Sequence, residues 1–127
     1  MLTETAAQVL YNEQLKAIEI IWVDFANTDQ YKRIMEHALM LTEMHKCSLW
    51  ISDMTNGKAV TKDAFFWFKS NFIPRVSSAG IKRFGFLVTG NIFRRLYAES
   101  LRGSINSYGG DMEYFNDRTE LESWLHD

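Results

Sequence analysis

The sequence predicts an α/β fold: a mainly parallel sheet of about five strands, opened by an antiparallel hairpin, with about four helices lying largely on one face. Three observations predict it. After two opening strand-like segments, strand and helix patterns alternate strictly in the order β-β-α-β-α-β-α-β-α, which joins parallel strands by crossover helices. Such crossovers are right-handed in nearly all proteins, so strands that are neighbours in sequence and space gather their helices on one side. The strands are also interrupted by Glu19, Ser48, Ser52 and Arg83, whereas a strand buried on both faces reads as a near-continuous apolar run. One face of the sheet is therefore expected to be only half covered.

The elements follow in order. The run QVLYNEQLKAIEIIWVDF holds two strands joined by a tight turn near Asn12–Glu13. Asn27 or Thr28 caps a first helix, in which Tyr31, Ile34, Met35, Ala38, Leu41 and Thr42 share a face at helical spacing. SLWISD is a short strand. Thr61 caps a second helix running to about Ile73, and Asp63 in its first turn complements the helix dipole. IKRFGFLV is a strand with Phe84, Phe86 and Val88 on one side and Arg83, Gly85 and Leu87 on the other. TGNIFRRLYAESLRGSI forms a third helix, presenting Ile92, Phe93, Leu96, Tyr97 and Ser100 on one face. DMEYF is the last strand, and Asp117 or Thr119 caps a terminal helix ending in Trp124 and Leu125.

Composition narrows the function. The 127 residues read as one domain, long enough for a real core; 46% are hydrophobic and 24% charged, as in ordinary globular chains. A formal net charge of −2 supplies no positive field for nucleic acid or an anionic membrane. The single Cys47 cannot form an internal disulfide, and three scattered histidines make no zinc site, a pattern that suits a reducing cytoplasm. No segment approaches the roughly 20 apolar residues of a membrane span, and no charged start leads into an apolar run, so no membrane insertion is expected. Aromatics at 14% are in surplus, which raises the question of what covers them all.

The opening hairpin, LWISDM with its acid at a strand end, the capped helix after GKAV, and RFGFLVTGN together resemble the SpoIIAA-like fold of STAS domains and, more remotely, SEC14-type lipid-binding domains. The resemblance spans nearly the whole chain and rests on element order with these local cues. It is strongest to short bacterial STAS/SEC14-like proteins. In STAS anti-sigma factor antagonists, an Asp-Ser-Ser-Gly motif opens the helix after the third strand, and phosphorylation of its serine controls partner binding. Here that place reads Thr61-Lys62-Asp63-Ala64, so neither serine is present and the phosphoswitch does not carry over. Thr61 remains a candidate phosphoacceptor, beside its plainer role as an N-cap; a phosphate there would suit the helix N-terminus but be repelled by Asp63.

Ligands of open α/β sheets collect beyond the carboxyl ends of the strands. That edge gathers Asp24, Asn27, Asp53, Thr55, Asn56, Gly57, Thr89, Gly90, Asn91, Asn116 and Asp117, residue types that also cap and turn well. Thr89-Gly90-Asn91 followed by Arg94 and Arg95 is a candidate anion site, since arginines in a first helical turn run against the dipole unless an anion is near. The catalytic patterns are poor. His37 and His45 are two turns apart, there is no Gly-x-Ser-x-Gly elbow, and Asp53 has no evident partner, so no enzyme and no cofactor is expected.

The second helix is more informative. At 100° per residue, Ala64, Phe65, Phe68 and Phe72 define its core face, while Phe66 and Ile73 fall to the side and Trp67 points away. Met40 and Met44 make a similar second stripe on the first helix. Met40, Met44, Phe66, Trp67 and Ile73 are thus a candidate interface, most simply of a twofold homodimer, or for a regulatory protein partner. The alternatives are packing against neighbouring helices and small-ligand binding, of an anion at the third helix or a lipid or other apolar molecule beneath the second. The expected function is a non-enzymatic STAS-like regulatory or interaction module.

Overall fold

The computed structural model describes residues 2–3, 6–56, 60–90 and 99–127. Its six-stranded sheet runs β1 (Leu2–Thr3), β2 (Ala7–Asn12), β3 (Ala17–Trp22), β4 (Leu49–Asp53), β5 (Arg83–Leu87) and β6 (Asp111–Phe115), in sequence order across the sheet. Strands β1, β2 and β3 are antiparallel neighbours, and β3 to β6 are parallel. The five expected strands are present, preceded by a two-residue edge strand too short to leave a periodic signature in sequence. The helices are α1 (Thr28–His45), α2 (Lys62–Trp67), α3 (Ile73–Ser78), α4 (Glu99–Ser107) and α5 (Arg118–Leu125).

Local chemistry sets the boundaries. Asn27 caps α1 in a capping box: its side chain accepts from Gln30 N at 2.8 Å, and the Gln30 side chain accepts from Asn27 N at 3.0 Å. Lys46 then ends α1 in the left-handed conformation at φ 52°. In the hairpin, Asn12 accepts from Leu15 N at 3.0 Å, and Lys16 turns the chain at φ 55°.

The second helix departs from its expected course. Between α2 and α3 the chain winds as a π-helix, Phe68–Phe72, so the helical rod continues past Pro74 to Ser78 instead of ending near Ile73. A proline inside an α-helix lacks the amide for the carbonyl one turn back and crowds that carbonyl; a widened turn relieves the clash. The widening also brings Phe72 back over Phe68 and Ala64, which recentres the buried stripe. Ile73, expected at the side, is fully buried in the core, and Trp67, expected to point outward, is half-buried against it.

Two cores result. The main one lies beneath α1, α2, α3 and α4, against Val9, Ile18, Ile20, Trp50, Phe84, Phe86 and Met112 of the strands. The opposite face carries a small core of Ala17, Ile51, Leu87, Leu121 and Leu125 under α5, the one helix on that side among the described residues. This asymmetry follows from connectivity: the helices between parallel strands share one side through same-handed crossovers, whereas α5 follows the last strand and is free to fold back over the other. Gly85 makes room for it, since a β-carbon there would lie 3.2 Å from Leu121 Cγ. Glu19, 3% exposed on the same face, is met by Arg118 of α5 at 2.6 and 3.0 Å and by Asn12 at 3.1 Å.

Candidate functional site

The carboxyl ends of β3 and β4 come together through their loops. Thr61, the N-cap of α2, accepts from Ala64 N at 2.9 Å, and its hydroxyl also bonds that of Thr28 at 2.8 Å. This hydroxyl pair ties the first turn of α1 to the start of α2. Asp53 turns back on its own loop, its Oδ1 accepting from Thr55 N at 3.1 Å and Thr55 Oγ1 at 2.7 Å. Asp24 and Asp117 accept from backbone amides one and two residues on. Each of these polar side chains is engaged in shaping its own turn, as the composition of such loops leads one to expect. Thr61→Ala should lower stability by about 1 kcal/mol, since it removes the cap and leaves Thr28 unpartnered. Thermal melting should then shift down by about 3–6 °C, and Thr61→Ser should recover most of the loss.

For the candidate anion site, Thr89 and Gly90 are exposed at the end of β5, with Gly90 at φ 71°. Asn91, Arg94 and Arg95, within residues 91–98 of the expected third helix, lie outside the described residues, as does Gly57; its later part is α4. Among the described residues, no three His, Cys, Asp or Glu side chains gather closely enough to hold a metal ion. None of the described helices is long and apolar enough to cross a membrane.

The candidate interface residues divide. Phe66 is 70% exposed, Met44 62% and Met40 45%, while Trp67 and Ile73 are drawn inward. Trp67 stands edge-on to Tyr31 at 6.2 Å, tilts against Phe72 at 5.7 Å, and lies under the Lys32 ammonium at 5.8 Å. It therefore cements α2 to α1. The rod of α2 and α3 runs beside α1, joined further along by Arg75 of α3, which grips Glu36 through its Nη1 and Nη2 at 2.6 and 2.7 Å. That contact holds the Glu36 carboxyl below its ordinary range. Beneath α2 the space is filled by rings: Phe72 meets Trp50 at 5.6 Å and Phe68 at 5.7 Å, and Trp50 meets Phe84 at 6.2 Å.

One concavity had no sequence signal. An open cleft of about 540 Å³ lies between β2 and the end of α1, lined by Leu10, Tyr11, Asn12, Glu13, Gln14, Leu41 and His45. Its wall is a parallel stack of Tyr11 on His45, with centroids 3.9 Å apart. Residues 34 positions apart meet there only because the hairpin and α1 pack together.

No family model matches the chain, and no curated protein does. A solved structure of an uncharacterised DUF3478-family protein from Shewanella loihica PV-4, described as having a SpoIIAA-like fold, superposes with a TM-score of 0.66. The alignment covers 98% of each chain at 15% identity, a likeness of fold alone. With its opening hairpin, its parallel strands in sequential order and its helices gathered mainly on one face, this chain has the SpoIIAA-like α/β fold.

Proposed function

We propose that the chain is a non-enzymatic, STAS-like interaction module that engages a protein partner, most simply a second copy of itself, through the outer faces of α1 and α2. The observation that carries this reading is Phe66, a phenylalanine left 70% exposed on a helix whose other rings are at least half-buried. Met40 and Met44 extend the apolar surface along α1. Trp67 contacts Tyr31 and Lys32, so Phe66 sits level with the start of α1, and the methionines lie roughly 12–18 Å further along its axis. A standard interface covers about 800 Å² per partner, a patch on the order of 30 Å across, so one partner can span both. Phenylalanine and methionine are side chains that such contacts favour, and the Glu36–Arg75 ion pair lies between them along α1. The ring-filled space beneath α2 and the turn-bound carboxylates at the sheet edge favour this reading over an apolar ligand pocket or a catalytic centre.

Phe66→Ser combined with Met44→Ser tests it. Light scattering after gel filtration should show the oligomer of the native chain reduced to a monomer, with the circular dichroism spectrum retained. A native chain that is monomeric at high concentration, or an oligomer indifferent to both substitutions, refutes the self-association reading.

A further inference from the structure

We infer that an ion pair, Arg102 with Glu113, seals the outer edge of β6 against strand addition, and specifically against pairing with β6 of a second copy of this chain. Among the described residues, strand β6 ends the sheet and has β5 as its one strand neighbour. Asp111 N donates to Lys82 O at 2.8 Å, and Phe115 O accepts from Val88 N at 2.8 Å, so the backbone groups of residues 111, 113 and 115 face β5. Alternation along a strand turns those of Met112 and Tyr114 outward. An incoming strand must engage the Met112 carbonyl and the Tyr114 amide, which lie side by side on that edge.

Both groups are already taken, by one pair of side chains. Arg102, reaching over from α4, donates from Nη1 to Met112 O at 2.8 Å. Glu113 Oε1 accepts from Tyr114 N at 3.3 Å and from Arg102 Nη2 at 3.2 Å. The guanidinium is held further by the Tyr114 ring, 5.8 Å beneath it, and by Glu99, 3.8 Å from Nε. A docking strand would have to break the ion pair and bury charge at the edge, a cost that open strands of soluble proteins exploit to stay unpaired. The sealing of β6 stands on its own geometry, apart from the helix faces of the proposed interface.

The test is the full chain carrying Arg102→Ala and Glu113→Ala, compared with the native chain by sedimentation over a range of concentrations. Self-association should strengthen by about tenfold, the scale set by freeing one or two backbone hydrogen bonds. Hydrogen exchange at the Tyr114 amide should slow as concentration rises. A folded double variant with the native mass distribution and concentration-independent exchange at Tyr114 overturns the inference. Where the double variant does not fold, Glu113→Ala alone frees the Tyr114 amide without touching α4, and the same two readouts decide. Association through α1 and α2 leaves exchange at Tyr114 unaltered, so the two proposals succeed or fail separately.

Discussion

Arg118→Ala should destabilise the protein by about 3 kcal/mol, out of proportion for a residue on a surface helix. Glu19 is the reason. Its side chain is 4% exposed in the middle of the sheet, and Arg118 meets both of its oxygens. Breaking a buried ion pair from one side leaves a desolvated charge, which costs far more than the pair itself contributes. Because Arg118 is itself 34% exposed, water entering the gap softens the loss, which places the figure at the low end of the range for buried pairs. Replacing both partners together, Glu19→Leu with Arg118→Met, should restore most of the stability, since neither charge is then left behind. Urea midpoints of the three chains measure this directly. An Arg118→Ala midpoint equal to that of the native chain would show that Glu19 is not buried.

The same site sets the acid limb of stability. Burial alone raises the pKa of Glu19, but the hydrogen bonds from Arg118 and Asn12 and the charge of Arg118 outweigh it and hold the carboxyl below its ordinary 4.5. A carboxyl depressed in the folded state binds protons more readily when unfolded. Its contribution is therefore fully present above about pH 4.5 and is lost as pH falls through the folded value. Glu36, held down by Arg75, acts in the same direction, but as an exposed pair it adds little. Urea midpoints followed from pH 6 downward should fall more steeply for the native chain than for the Glu19→Leu, Arg118→Met chain.

Phe72→Ala should cost about 3–5 kcal/mol, the largest loss expected from truncating any ring of the second helix. Phe72 is fully buried in the π-helical turn and touches Trp50, Trp67 and Phe68 at once. The ring is the keystone between the sheet and the α1–α2 contact, so its removal opens a cavity that a helix already distorted around Pro74 cannot collapse to fill. Tryptophan fluorescence should report the change, with Trp67 becoming wetter and the urea midpoint dropping. Phe66→Ala in the same helix should change stability by no more than about 0.5 kcal/mol, because that ring is already in water. A similar loss at both positions would contradict the division of the aromatics between core and surface.

Most of the fold was legible because it rests on local periodicity. Strand alternation in RFGFLV placed Phe84 and Phe86 on the main core and Leu87 on the other face, where the structure has them. The cap at Thr61 followed from residue type and position, and Asn27 and Asp117 are the capping residues from the pairs expected. The candidate interface was legible in part. Phe66, Met40 and Met44 are exposed, but a uniform turn of 100° per residue misplaced Trp67 and Ile73. The π turn broke that uniformity, and its cause, the clash of Pro74 with the preceding turn, depends on whether the helix ends or widens there. Neither the hydroxyl pair Thr28–Thr61 nor the Tyr11–His45 stack had a sequence signal, since each joins residues that only the assembled layers bring together.

Legible in the residues alone were the order and type of the five longer strands and the helices that follow them, and the one-sided placement of the crossover helices. These follow from short-range backbone preferences and the fixed hand of parallel connections, which need no knowledge of distant contacts. What packing in three dimensions added is that α5 crosses to the far face, that Glu19 is neutralised by an arginine 99 residues away, and that Arg102 of α4 pairs with Glu113 of the last strand. Charged side chains reach their partners through space, and where a long flexible side chain finds its counter-charge is set by which surfaces the packed cores leave adjacent.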